Sequence, residues 1–443
     1  MKKVLCLLIA VIFAFSLLSG CGQSSQSKSD GSNTAQPGSS DNSAGTQEVK
    51  KEPVKIVFAT NEQPQLPKEF WKIPTEKFMK ENPNVTIENI AQPSSNVTLW
   101  DYEKTLLATG QFPDILVVNS VTDFASSGAL LELSKDDLSF VSNPDVGAYK
   151  GKYYLHPYKK MLNGVFYNKK IFADQGLSEP KNFKDFIDLC EKLKAGNITP
   201  VSFGAKDGWM EGVVAGSILT AFLSPANPNW TADLNAGKIK FNSPEFKSAM
   251  EKYVQLTKNY CGKDVMSVSY AQSLEAFFTG KAAMIPIGSW LLGEEEKAKP
   301  GFEIGFFPMP GENDANTLAT YENEGIAISA TTKNPEVCKA FAKFFLSDKE
   351  WYGQFLKTEM LFATTKDSVQ YDMSKTRKDM EARIQGLKEV QSWDSTTGDN
   401  ALLPGLSSYL NKFAANLTAG AGIDKELDLF DKEWERAKKA LAK

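Results

Sequence analysis

The sequence predicts a two-lobed α/β protein, each lobe a doubly wound, mostly parallel sheet, with helices closing the C-terminal end. Three observations carry this. From Val54 to Val118, extended apolar runs alternate with amphipathic stretches in a β-α-β-α-β rhythm, the pattern of a helix-covered parallel sheet. Helical and strand-like runs resume at Phe183 and continue to Ile285. About 390 residues follow an N-terminal polar tract, too many for a single hydrophobic core.

The first residues belong to neither lobe. Lys2 and Lys3 precede a continuous apolar run from Val4 to Leu18, which has the length of a signal-peptide core and is short for a membrane span. Leu18-Ser19-Gly20-Cys21 then resembles a bacterial lipoprotein cleavage box. That resemblance implies loss of residues 1–20 and acylation of Cys21, palmitate included, on the outer face of the cell membrane. More than one acyl chain anchors stably, whereas one binds only marginally. Residues 21–53 are rich in Ser, Gly, Asn, Asp and Gln and bury too little apolar surface to offset the entropy of ordering. They read as a flexible tether, about 30 residues with a random-coil span of roughly 30 Å.

Composition excludes several functions. Loss of Lys2 and Lys3 takes the formal net charge from −4 to −6. A weakly acidic, arginine-poor chain has no electrostatic footprint for nucleic acid. Cys190, Cys261 and Cys338 have neither metal spacing nor a disulfide framework and read as small buried hydrophobes, with one pairing among them left open. No nucleophile is paired with a base, no glycine loop cradles phosphate and no ligand cluster suits a metal. No catalytic residue, cofactor or metal is therefore assigned.

Taken in order, the folded part begins with a strand at Val54–Ala59, a helix over Phe70–Glu81, a strand at Val85–Ile90 and a helix from Leu99 to Thr109. Ile115–Val118 closes the first series. Ligands of such sheets collect beyond the carboxyl ends of the strands, which singles out Asn61 and Glu62 in one loop and Asn119 and Ser120 in the other. Asn119 suits either a ligand or a turn cap, and Asp123 either a ligand or a helix cap. Val146–Tyr158 reads as a hairpin turning at Lys150-Gly151-Lys152. It contains His156, the one histidine, read as a hairpin residue with a satisfied imidazole.

The second lobe continues with a helix from Phe183 to Lys194 and a strand at Val201–Gly204, which delivers Trp209 on the following loop. Asp207 beside it suits a ligand or the cap of a helix starting near Met210. Ser243-Pro244-Glu245 starts a helix running to about Tyr260. The stretch from Ser269 to Leu292 is the most informative. Tyr270, Leu274, Phe277 and Phe278 form one helical face, Ser269 and Gln272 a capping box, and Gly280 a helix stop. Ala282–Ile285 is a buried strand ended by Pro286, and Trp290 stands at its mouth, either core or an apolar face offered to a crevice. Phe302–Pro308 is a further strand, and helices follow from Pro335 and from Tyr371 to the end.

Phe277-Phe278-x-Gly280-Lys281-Ala282-Ala283-Met284 with Gly288-x-Trp290 resembles the signature of family 1 extracellular solute-binding proteins, the maltodextrin-binding-protein-like carbohydrate receptors of ABC importers. The resemblance extends from about Val54 onward. It implies the periplasmic-binding-protein fold and Trp290 as a sugar-stacking residue, with Trp209 in another contact loop. Gly110-Gln111-Phe112-Pro113-Asp114-Ile115 fits the same pattern, which implies sugar contact by the residues just after it, including Asn119 and Ser120.

The resemblance also implies three crossings between lobes: Lys160–Lys169, Tyr321–Ile328 and Met360–Thr364. The lobes then comprise residues 54–162 with 324–364, and 163–323 with 365–443. Tyr321, Glu322 and Asn323 border the cleft, as ligands or as hinge hydrogen-bonders. The implied function is capture of a neutral mono- or oligosaccharide by a monomeric, lipid-anchored receptor that delivers it to the transmembrane subunits of an importer. A glycan-degrading enzyme, which needs two carboxylates facing one sugar, and a receptor for another solute are the alternatives.

Overall fold

The computed structural model describes residues 52–62, 66–92, 99–118, 121–403 and 405–441. The apolar leader, Cys21, the tether as far as residue 51, Asn119 and Ser120 lie outside the described residues. No described helix is long and apolar enough to cross a membrane.

Strands β1 (Val54–Ala59), β2 (Val85–Ile90) and β3 (Ile115–Val118) form a parallel set with β1 in the middle. The Lys68–Glu81 and Leu99–Ala108 helices connect them. β4 (Ala148–Tyr149) and β5 (Lys152–Tyr153) make a small hairpin that turns at Lys150-Gly151, both at positive φ. Then comes β6 (Leu155–Asn168), followed by β7 (Thr199–Val201), β8 (Ala282–Gly288) and β9 (Ile304–Phe307). β10 (Thr317–Ile328) returns along β6, and β11 (Lys388–Gln391) lies parallel to its first half. The order is β2-β1-β3-β10-β6-β8-β7, with β11 on β10 and β9 on β6.

Two strands therefore serve both lobes. The second half of β10 pairs with β3, and β6 pairs along β10 before continuing into β8 and β9. These crossings are antiparallel, whereas β1–β2, β1–β3 and β7–β8 are parallel. Two hydrophobic cores result. One gathers Phe58, Trp71, Val117, Ile326, Phe341 and Trp351, the other Phe166, Phe186, Ile218, Tyr253, Ile285 and Phe430. Each fully buried side chain of this size contributes about 1.5–3 kcal/mol.

Local chemistry explains the boundaries near the site. Ser269 and Gln272 make the reciprocal capping box, and Gly280 takes φ 73° after the Tyr270–Phe278 helix. β8 does not stop at Pro286 but runs to Gly288. β7 pairs only with Ala282 and Met284, so at Pro286 the strand has β6 on one side and an open edge on the other. The predicted strands at Val201–Gly204 and Phe302–Pro308 shift or shorten to β7 and β9. The C-terminal region is not all helix, because β11 joins the sheet there.

His156 corrects its expectation as well. It lies within β6, fully enclosed, and its Nδ1 has no partner among the described residues; burial lowers its pKa to about 4. Cys190, Cys261 and Cys338 are buried free thiols.

Candidate functional site

Three helix N-termini packed on the second core converge, and each carries an aromatic residue. Trp209 precedes the Met210–Leu223 helix, Trp290 precedes the Leu291–Ala298 helix, and Tyr270 opens the Tyr270–Phe278 helix. Trp209 lies 6.0 Å from Trp290 at 57° and 5.0 Å from Tyr270 at 69°, so the three rings form a cluster of tilted faces. All three are half-buried. Burial, with Glu294 nearby, pushes the pKa of the Tyr270 hydroxyl up, opposed by the neighbouring Trp290. Glycine at 288 is what admits the Trp290 ring, which packs directly against its Cα.

The crossing strands supply a polar wall. Gly288 pairs with Asn163 of β6, and Ser289 N–H donates to the Leu162 carbonyl at 2.8 Å. Asn163 is fully buried; its Nδ2 donates to Ser392 Oγ at 3.4 Å, while its Oδ1 has no partner among the described residues. Ser392 Oγ donates to Asp394 Oδ1 at 2.5 Å. Burial raises the Asp394 pKa to about 7; burial, and then the charge of Asp394, raises that of the half-buried Tyr321. Tyr321 pairs with Met161, so it shares the β6–β10 face that carries Met161 and Asn163.

Glu322 points the other way. It is 2% exposed, with Oε1 unpartnered among the described residues, next to Lys160, which is itself bound to Glu389 at 3.0 Å. This is the face of the β6–β10 pair opposite to that of Tyr321. Asn323 lies in the same strand. Glu324, where the register shifts, forms a largely buried pair with Lys159 at 3.0 Å and accepts from Tyr158 at 2.9 Å.

The remaining candidates hold loops. Asp207 is exposed and accepts from Tyr270 N at 2.7 Å, so it caps the helix at Tyr270 rather than the one at Met210. The Asn61 carbonyl accepts from Trp71 Nε1 at 3.1 Å and the Glu62 carbonyl from Gln92 at 2.9 Å, which fixes the loop after β1. Asp123 pairs with Lys104 at 2.8 Å. Thus Trp209 and Trp290 are brought together, and Tyr321 joins the polar wall. Tyr270, Asn163, Ser392 and Asp394 were not singled out from sequence. The only sequence signal for the last two is an aromatic Ser-Trp-Asp tripeptide following a short extended run.

The family described as bacterial extracellular solute-binding protein matches residues 61–350. The multiple sugar-binding protein of Streptococcus mutans is 27% identical over 292 residues, 60% of this chain and 65% of that protein. A putative ABC transporter periplasmic-binding protein of Escherichia coli, YcjN, is 25% identical over 60% of this chain and 63% of its own length. The chain thus spans just under two thirds of these curated relatives. Among solved structures, apo RafE of Streptococcus pneumoniae superposes with a TM-score of 0.71 at 22% identity, covering 88% of this chain and 99% of that one. A chitin oligosaccharide binding protein gives 0.69 at 22%, over 87% and 99%. The two-lobed fold is shared with these structures, and the match over residues 61–350 places the chain in the family of bacterial extracellular solute-binding proteins.

Proposed function

We propose that this chain captures a carbohydrate between its lobes and delivers it to the transmembrane subunits of an ABC importer. In this reading it acts as a monomer held to the outer face of the membrane through Cys21. The observation that carries the proposal is the Trp209–Trp290–Tyr270 cluster beside the Asn163–Ser392–Asp394 chain. Sugars present apolar C–H faces ringed by hydroxyls. Flat aromatic rings match the faces, and a few fixed polar groups match the hydroxyls. The names of the relatives support the same class of ligand.

We take the lobes as residues 54–162 with 324–364, and 163–323 with 365–443. The two separate cores support this division in the main, although Leu162, Met360 and Phe362 pack with the second core and Val369 and Tyr371 with the first. Ligand bridging both lobes would favour the closed form only through its greater affinity for that form. A thermal-shift panel of neutral mono- and oligosaccharides tests the reading, with a rise in melting temperature expected for one structural series. Incubation with labelled oligosaccharides separates capture from chemistry: products would favour a hydrolase, and no stabilisation by any sugar would overturn the carbohydrate assignment.

A further inference from the structure

At the third crossing the chain changes cores from one residue to the next. Leu361 is buried in the first core and Phe362 in the second. The same change occurs between Met161 and Leu162 of β6, where Phe362 N–H donates to the Lys160 carbonyl at 2.8 Å. The crossing begins where the Lys349–Thr358 helix of the first core stops. Met360 N–H donates back to the Lys357 carbonyl at 3.3 Å and Leu361 N–H to that of Leu356 at 2.8 Å, with Met360 at φ 53°. Glycine is the default residue at such a helix stop, because a Cβ is strained there.

Met360 takes its support from the second core. Its side chain lies against Gly293, in the helix that Trp290 opens, and Thr376 Oγ1 donates to Glu295 of that helix at 2.5 Å. The next residue, Arg377, is 4% exposed. Its Nη2 donates to the Leu361 carbonyl at 2.6 Å and its Nη1 to that of Met360 at 3.5 Å. Its Nε is bound to Glu381 at 3.0 Å, and the guanidinium lies 3.4 Å from the centre of the Phe362 ring. A rigid, planar fork on two successive carbonyls fixes the peptide that follows Met360, which a point charge would not do.

We propose that Arg377 is a positioning residue for sugar capture. It locks the strained turn at Met360 and so fixes how the helix of the first core enters the second core beside Trp290. The proposal rests on the reading that a sugar is bridged between the lobes, because only then does their orientation bear on affinity. Without the lock the lobes would range more widely, and apparent affinity falls with the fraction of molecules that is competent to bind. Arg377 acts without touching the sugar.

Small-angle X-ray scattering of the full chain without sugar reads the lobe separation, since every variant carries the same N-terminal residues. Arg377→Met should shift the pair-distance distribution away from that of wild type. Arg377→Lys should do so less, and provides a second variant. Met360→Gly alone should change nothing, because glycine takes this φ without support. In Met360→Gly combined with Arg377→Met the wild-type distribution should return, which the loss of a merely structural arginine would not allow. Calorimetric titration with glucose, galactose, maltose and raffinose should show about fivefold weaker binding in Arg377→Met, recovered in the double variant. A wild-type distribution in Arg377→Met, or a shifted one that Met360→Gly does not restore, would overturn the proposal. Undiminished affinity with shifted lobes would do the same. If wild type bound no sugar, the carbohydrate reading and the capture role would fall, while the scattering series would still decide whether Arg377 locks the crossing.

Discussion

The Trp290 indole lies across the bare Cα of Gly288, so closely that a Cβ on residue 288 would fall inside the ring. The backbone there does not require glycine, because Gly288 is not among the positive-φ positions. Gly288→Ala should therefore act through the indole alone. We expect it to displace the ring and to weaken sugar binding at least fivefold, with Trp290 still present. Titration of the variant against wild type checks this, and unchanged affinity would show that the ring's seat is not part of the site.

Trp290→Ala removes the ring itself. The expected loss of affinity is about 1.5–3 kcal/mol, the range for a stacked aromatic anchor. Trp290 packs on the rim of the second core rather than within it, so the variant should remain folded with a modestly lower melting temperature. Full affinity in a folded variant would contradict the assignment.

Glu322 should reveal itself through pH. Burial is the main cause that lifts its carboxyl from 4.5 to about 7, partly opposed by Lys160 and reinforced by Glu389. The folded state therefore holds the proton more tightly than the unfolded state. Stability is fully present below about pH 4.5 and is lost as pH rises through the window to about 7. Glu322→Gln escapes that loss. It should be more stable than wild type at pH 8, by on the order of 2 kcal/mol, and equal to it at pH 4.5. Because Glu322 faces away from Tyr321 and the aromatic cluster, sugar affinity should change less than twofold. Denaturant melts at the two pH values decide the matter.

The charge preference of the site follows from where the arginines are. Arg377 donates to the Met360 and Leu361 carbonyls and to Glu381, Arg383 to Glu179, and Arg436 to Glu433. None is among the residues of the aromatic cluster or the Asn163–Ser392–Asp394 chain. Without the bidentate fork of Arg, the site should prefer a neutral oligosaccharide to its uronate analogue. Binding should be nearly independent of ionic strength. Preference for the uronate, weakening steeply with salt, would reverse this.

Local rules carried much of the fold. The β1–β2–β3 series, the Ser269 capping box and the Gly280 stop follow from periodicity and from glycine's access to positive φ. Trp209 and Trp290 were legible because both follow buried strands. What stayed hidden depended on long-range pairing. β11 reads as Lys-Glu-Val-Gln, without the apolar run of a central strand, and it exists because β10 offers it an edge. Which side Glu322 takes was hidden for a similar reason: neighbours in a strand face opposite sides, and the register shift between Tyr321 and Glu324 disturbs the alternation. Asp394 meets Gly216, and through Ser392 Asn163, only once distant segments have come together.

The nesting of the chain constrains how it can fold. The first core combines residues near Phe58 and Val117 with Ile326, Phe341 and Trp351, while the whole of β7, β8 and β9 is inserted between them. A chain emerging N-terminus first cannot close that core until β10 has followed. β6 likewise waits for β10 before its hydrogen bonds are complete. Such sequence-distant pairing slows folding, because loop-closure entropy is lost before the contacts that reward it can form. Incomplete chains ending before Thr317 should therefore remain open to proteases over their first hundred folded residues, and maturation should be gated by synthesis of the returning strand.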